Sequence, residues 1–234
     1  QKSMNELNDL FLEKDRLQAY EECRNLMGAY ATCFSDNRTE DIAGMFAERA
    51  DCTLEMPWGR YDGKAGVVRC FTHDHLDVRR GDNKKQLDGA YAMRFVTTPL
   101  IEVAGDGKTA RGVFISHGFE TFATLNRRVC YRGRTFWNWG KTAVDFIRED
   151  GVWKFWHVRL YPLVYTEYGK SWAEHERYGG FGRVEEPEID GPVHGGIYEW
   201  ESGELVPRNM PALPEPYESF EEVAPGYGYE SEGD

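Results

Sequence analysis

Residues 26–66 read LMGAYATCFSDNRTEDIAGMFAERADCTLEMPWGRYDGKAG, and this stretch decides the fold. Leu26, Tyr30, Cys33 and Phe34 recur at helical spacing. Ser35, Asp36, Asn37 and Arg38 break that pattern with side chains that favour turns and caps. Thr39 is expected to cap a second, short helix with Ile42, Met45 and Phe46 as its apolar stripe. Cys52, Leu54 and Met56 then alternate with Thr53 and Glu55, the pattern of a half-buried strand. Pro57-Trp58-Gly59 stops that strand, and Tyr61-Asp62-Gly63-Lys64 turns the chain into the next element. A helix that delivers Tyr30 and Asp36 to the edge of a curved sheet is a way to line a pocket.

Upstream, residues 4–34 read as one long helix. Leu7, Leu10, Phe11, Lys14 and Leu17 form its first face, and Tyr20, Cys23, Met27, Tyr30 and Phe34 continue it. Downstream, Gly63 to Val78 reads as a further helix. His73-Asp74-His75 suggests a metal site, but histidines two apart do not share a helix face; we expect a polar helix end or pocket lid there, and no metal. Arg79 to Gly89 is polar and glycine-bearing, as a loop over a pocket mouth would be.

Strands follow. Ala90 to Val103 leads to a hairpin turn at Asp106-Gly107. Thr109 to Thr124 carries Val113, Ile115, His117 and Phe119 on one face, and Cys130 to Arg134 reads as a loop. Phe136 to Arg148 places Trp137, Trp139, Lys141 and Asp145 on one face and Asn138, Thr142, Val144 and Phe146 on the other; one face should see the pocket, and the pattern leaves open which. In Val152 to Leu160 the apolar pair Val158 and Leu160 is expected to face the pocket, leaving His157 at a dimer interface. Tyr165 to Tyr178 reads as a closing helix containing Trp172.

Composition divides the chain in two. Residues 185–234 hold 14 acidic side chains and one basic one, Arg208, whereas residues 1–184 hold 26 acids and 27 bases. Seven of the ten prolines fall between Pro187 and Pro225. Such a tail cannot build a core of its own. We expect a domain over residues 1–180 and an extension over 181–234 that packs on the body or on a neighbouring subunit. A nearly neutral body argues against nucleic acid as a partner. No apolar run approaches the ~20 residues of a membrane span. Five cysteines with no CxxC fit buried thiols in a reducing compartment, and the expected location is the cytoplasm.

Several segments together resemble the SnoaL-like domains of the NTF2-like superfamily. They are Tyr30-Ala31, Phe34 to Asp36, Asp41-Ile42 with Met45-Phe46-Ala47, Ala50-Asp51, and Gly59-x-Tyr61-x-Gly63-Lys64-x-Gly66. Pro99 to Val103 with Asp106 to Ala110, and Asp145 to Arg148 with Asp150-Gly151-x-Trp153-Lys154, complete the match over roughly residues 10–165. The resemblance implies an α+β cone: a curved, mostly antiparallel sheet wrapped around N-terminal helices. Its lyases often place a Tyr and an Asp near the end of the first helix, which points to Tyr30 with Asp36 or, one residue earlier, Ser35. Family members often carry a pocket His five residues before the strand proline. Here that position is Arg94, a permanent cation that can hold an anion but is a poor base.

There is no phosphate-binding glycine loop, nucleophile elbow or zinc signature. A carboxylate, a phenol, an imidazole and a guanidinium suit proton transfer without a cofactor. The expected function is a cofactor-independent lyase acting on a hydrophobic aromatic small molecule and eliminating water or formaldehyde. Scytalone dehydratase, bile acid dehydratases and the γ-formaldehyde-eliminating lyases of sphingomonad lignin catabolism are the family's comparable activities. Asp36 or His117 would be the base, Tyr30 a hydrogen-bond partner and Arg94 the anion holder. Trp58, Tyr61, Trp137, Asn138, His73 and Phe119 would bind substrate. An isomerase of the same fold and a noncatalytic hydrophobic-ligand carrier are the alternatives. A homodimer or homotrimer through the outer sheet face is expected by analogy.

Overall fold

The computed structural model of the chain describes residues 2–74, 90–121, 134–174, 187–195 and 210–223. Three helices, α1 (Lys2–Ser35), α2 (Thr39–Ala43) and α3 (Gly63–Arg69), pack with a six-stranded sheet. The strands are β1 (Thr53–Met56), β2 (Gly59–Asp62), β3 (Tyr91–Val103), β4 (Thr109–Thr121), β5 (Thr135–Glu149) and β6 (Val152–Glu167). Their order is β2-β1-β6-β5-β4-β3; β1 and β6 run parallel and every other neighbouring pair is antiparallel. The α+β cone expected from the sequence is therefore the observed architecture.

The long strands curve around α1. Register shifts interrupt pairing between Thr97 and Leu100 on β3 and next to Gly140 and Asp145 on β5, and each such bulge bends and twists its strand. Gly140 is required at its bulge, because a Cβ there would lie 2.2 Å from the Tyr161 carbonyl oxygen. Inside the curve, Ala19, Cys23, Met27, Tyr30 and Phe34 of α1 meet Phe114, Val144, Phe146, Phe155, Val158 and Leu160 of the sheet. The spacing of three and four along α1 keeps these residues on one stripe. Fully burying each large side chain contributes about 1.5–3 kcal/mol. The first half of α1 is different: Leu7, Phe11 and Leu17 are all more than half exposed, so the apolar stripe read there has no cover among the described residues.

Val158 and Leu160 face the core, as their alternation indicated. Four other local expectations are corrected. Thr39 is not a cap: Arg38 holds the N-cap position without a side-chain bond, and the buried Thr39 hydroxyl donates to Phe71 O at 3.0 Å. The helix expected to Val78 ends as α3 at Arg69 and continues as a π turn, Cys70–Asp74; residues 75–89 lie outside the described residues, as do 122–133. Over the described residues 165–174 the closing helix is absent, because β6 runs on to Glu167 in register with Phe136 of β5, and Trp172–Glu174 forms a single 3-10 turn. Glu55, placed on a solvent side by alternation, is 1% exposed.

Glu55 is buried because parts of the C-terminal extension lie on the outer face of the sheet. Gly191 bridges Arg60 of β2, with Asp190 N donating to Arg60 O and Arg60 N to Gly191 O, both at 2.8 Å. Asp190 also pairs with Arg69 at 2.6 Å. Further along, Gly105 N donates to Tyr217 O and Asp106 N to Glu218 O, both at 2.9 Å. Phe220 packs against Trp156 with ring centroids 4.4 Å apart and planes tilted by 44°. Among the described residues no helix is long and apolar enough to cross a membrane.

Candidate active site

The end of α1 and the inner face of β3, β4 and β5 border a narrow recess. Phe34, Ala92, Arg94, Gly118, Glu120 and Asn138 line it. Register explains the grouping: Arg94 pairs with Gly118, and Gly118 with Asn138, so the three form one row across three strands. The next row holds Ala92, Glu120 and Phe136. Gly118 lets β3 and β4 approach closely, since a Cβ there would lie 2.1 Å from Met93 O.

Arg94 dominates the recess. Its Cζ lies 5.0 Å from the Phe34 ring centroid, a cation–π distance. Its Nε is buried and has no hydrogen-bond partner. Its backbone N–H donates to Ser35 Oγ at 3.0 Å, while the Ser35 hydroxyl donates back to Ala31 O at 2.8 Å. Ser35 thus ties the last turn of α1 to the free edge of β3 and sets the height of Arg94 against Phe34. Tyr30, one helical turn before Phe34, is 4% exposed. Burial pushes its phenol above the ordinary tyrosine range, with the Arg94 charge pulling the other way. Tyr30 therefore stays a neutral hydrogen-bond donor at working pH. Its ring meets Phe34 at 6.1 Å and Phe155 edge-on at 6.1 Å.

Of the residues expected at the site, Arg94, Tyr30 and Asn138 lie on this inner side. Others do not. Asp36 is exposed just past the helix end; one residue is about 100° of helix rotation, and the inward position belongs to Phe34 and Ser35. His117 is on the outer face, stacked between Phe95 and Trp139 at 5.0 and 5.1 Å. Trp137 is also outside and 38% exposed. Phe119 borders the recess, yet its ring packs outside against Tyr91 and Trp137. Trp58 and Tyr61 belong to the opposite sheet edge, where Trp58 Nε1–H donates to Tyr61 Oη at 2.8 Å and Tyr61 is fully buried. The His73 side chain lies outside the described residues. Among those described, no three His, Cys, Asp or Glu side chains converge as metal ligands.

Sequence reasoning missed Glu120; it read Phe34 only as part of the helix face and the family match, and Ser35 only as the alternative to Asp36. The signal for Glu120 was the parity of β4. Ala110, Gly112, Ser116 and Gly118 are small on one face, which leaves room for a helix, and Glu120 shares that face.

Two histidine–carboxylate clusters sit on the outer face. His157 Nδ1 is 2.8 Å from Asp145 Oδ2, its Nε2 is 3.1 Å from Asp51 O, and Arg111 Nε is 3.3 Å from Asp145 Oδ1. Phe220 covers this group, 5.2 Å from Arg111 Cζ. His194 Nδ1 pairs with Glu55 Oε1, Arg159 Nε lies 3.4 Å from Glu55 Oε2, and Arg60 Nη1 meets His194 Nε2 at 3.1 Å. Both nitrogens of each imidazole are engaged, so these clusters hold the extension to the sheet rather than offering a base.

The fold is shared with known proteins. Residues 15–159 match the model of the SnoaL-like domain family. The structure is similar to that of LinA (TM-score 0.55, 13% identity, covering 68% of this chain and 96% of that one). It is also similar to the hexachlorocyclohexane dehydrochlorinase LinA-type3 of Novosphingobium barchaimii (TM-score 0.52, 14% identity, 68% and 96% covered). A scytalone dehydratase candidate from Novosphingobium aromaticivorans is comparable (TM-score 0.51, 16% identity, 68% and 93% covered). A search of the curated proteins finds no match. With a family match over more than half its length, the chain belongs to the SnoaL-like domain family.

Proposed function

We propose that the protein is a cofactor-independent lyase that takes a hydrophobic aromatic small molecule into the recess between α1 and β3–β5 and eliminates water or formaldehyde from it. The observation that carries this reading is the Arg94 guanidinium, set against Phe34 with a buried, unpartnered Nε beside the neutral phenol of Tyr30. A preorganised cation and a neutral donor stabilise negative charge that develops on a substrate oxygen. In water loss, a base removes a proton from carbon, the electron pair forms the double bond, and the departing hydroxide is protonated. In formaldehyde loss, the base takes the proton of a primary hydroxyl and the carbon–carbon bond breaks, its electron pair passing into the conjugated substrate. Either way the developing anion faces Arg94, and Asn138 completes the polar row. Dehydrochlorination and dehydration, the activities named for two of the similar structures, are eliminations too.

The same reading places the protein in aromatic-compound catabolism in the cytoplasm, supported by Cys23, Cys33, Cys52 and Cys70, which are buried and outside any disulfide. A homodimer or homotrimer would form through the outer face, where Phe95, Trp137 and Trp139 are 38–48% exposed.

The test is a mass-resolved screen of the purified protein, in the presence of a chelator, against phenolic dimers and hydroxylated polycyclic compounds. Loss of water or formaldehyde is the expected result. Products of unchanged mass would make it an isomerase, and binding without conversion a carrier.

A further inference from the structure

The recess has an anion holder, but neither base expected from the sequence faces it. Among the described residues, two carboxylates stand at this level of the inner face, Glu120 on β4 and Glu167 at the end of β6, both in register with Phe136. Glu167 is committed elsewhere. Arg134 Nε donates to its Oε1 at 2.6 Å and Arg134 Nη2 to its Oε2, and this pairing lowers its pKa to about 2. Glu120 lines the recess itself, half-buried. Its cross-strand neighbours are apolar, Ala92 on β3 and Phe136 on β5. Arg94 lies diagonally across the β3–β4 pair, opposite Gly118, at the ~7–8 Å typical of such neighbours.

We propose that Glu120 is the proton acceptor of this site and that its ligands are molecules with an acidic C–H or O–H a few bonds from an oxygen that becomes anionic against Arg94. The assignment rests on the lyase reading for the native reaction, but the pair of groups can be probed without the native substrate. In 5-nitrobenzisoxazole the carboxylate takes the ring C–H proton, that electron pair forms the nitrile, and the N–O bond breaks to leave a phenolate. No co-reactant is consumed, and the proton returns to water.

The experiment measures this elimination by phenolate absorbance for the full chain, Glu120→Gln, Glu120→Asp and the exposed control Glu40→Gln, each checked for native circular dichroism. The expected result is elimination faster than in matched carboxylate buffer and falling on the acid side. Glu120→Gln should lower it at least about a hundredfold, Glu120→Asp less, and Glu40→Gln not at all. Equal rates for Glu120→Gln and the wild type would overturn the proposal, as would a wild type no faster than buffer. Failure of the two readings is separable. A native lyase substrate turned over at full rate by Glu120→Gln removes Glu120 and keeps the lyase. Glu120-dependent elimination of the probe, with no native elimination in the screen, keeps Glu120 and removes the lyase.

Discussion

The Ser35 hydroxyl accepts the backbone N–H of Arg94 at 3.0 Å and thereby fixes the end of α1 to the edge strand that carries, among the described residues, the one cation of the recess lining. Ser35→Ala removes that acceptor and leaves a half-buried N–H without its partner. The expected loss of stability is about 1–3 kcal/mol. Because Arg94 shifts against Phe34, kcat should fall more than KM rises. Ser35→Thr keeps the hydroxyl and should restore both; an alanine variant with unchanged kcat would separate Ser35 from the site.

Asp36 and His117 are predicted to be dispensable. One is exposed past the helix end and the other is stacked on the outer face between Phe95 and Trp139. Asp36→Asn and His117→Ala should each keep turnover within about threefold, against the roughly hundredfold or larger loss that removing a true acid or base causes. A hundredfold loss in His117→Ala, with the fold intact, would turn the sheet the other way round.

These two residues also show what the sequence could and could not convey. The helix end, the Asp106-Gly107 hairpin and the alternation of β5 were legible, because period and turn chemistry are local. The choice of sheet face was not. Both faces of β4 carry apolar residues, since the outer one also bears aromatic stacks and, further along, the C-terminal extension. Alternation sorts residues into two sets without saying which set meets the helix. Asp36 failed for a related reason: one position of helical rotation separates a pocket residue from an exposed one. The end of β6 was misread because pairing with β5 outweighed the local pattern of Tyr165 to Tyr178.

Acid stability should report the Arg134–Glu167 pair. Arg134 holds the Glu167 pKa down from 4.5 to about 2. A carboxyl depressed on folding contributes stability that is fully present above its unfolded pKa and is lost as pH falls through its folded one. The gap in urea midpoint between wild type and Glu167→Gln should be constant above pH 4.5 and close as pH approaches 2. A gap that widens toward acid would contradict the pairing.

The buried cluster under Phe220 carries a larger cost. Asp145 is fully buried between Arg111 and His157. Asp145→Ala strips Arg111 and His157 of that partner, and the expected destabilisation is about 3–5 kcal/mol by urea unfolding. A loss below ~1 kcal/mol would mean that the extension does not seal the cluster from water.

Gly118→Ala probes the close approach of β3 and β4. A Cβ 2.1 Å from Met93 O cannot be accommodated without moving a strand, and overpacking of this kind costs about 1–3 kcal/mol. Since the movement displaces Arg94, activity should fall with stability. A fully stable and active Gly118→Ala would show that the recess is wider than described.

The most direct measurement compares wild type with Arg94→Met on whichever phenolic or polycyclic compound the mass-resolved screen converts. If charge develops against this guanidinium, Arg94→Met should keep its fold and lose at least about a hundredfold in kcat, with smaller change in KM. Turnover in Arg94→Met equal to that of the wild type would contradict the central claim, because the recess would then not be where the reaction takes place.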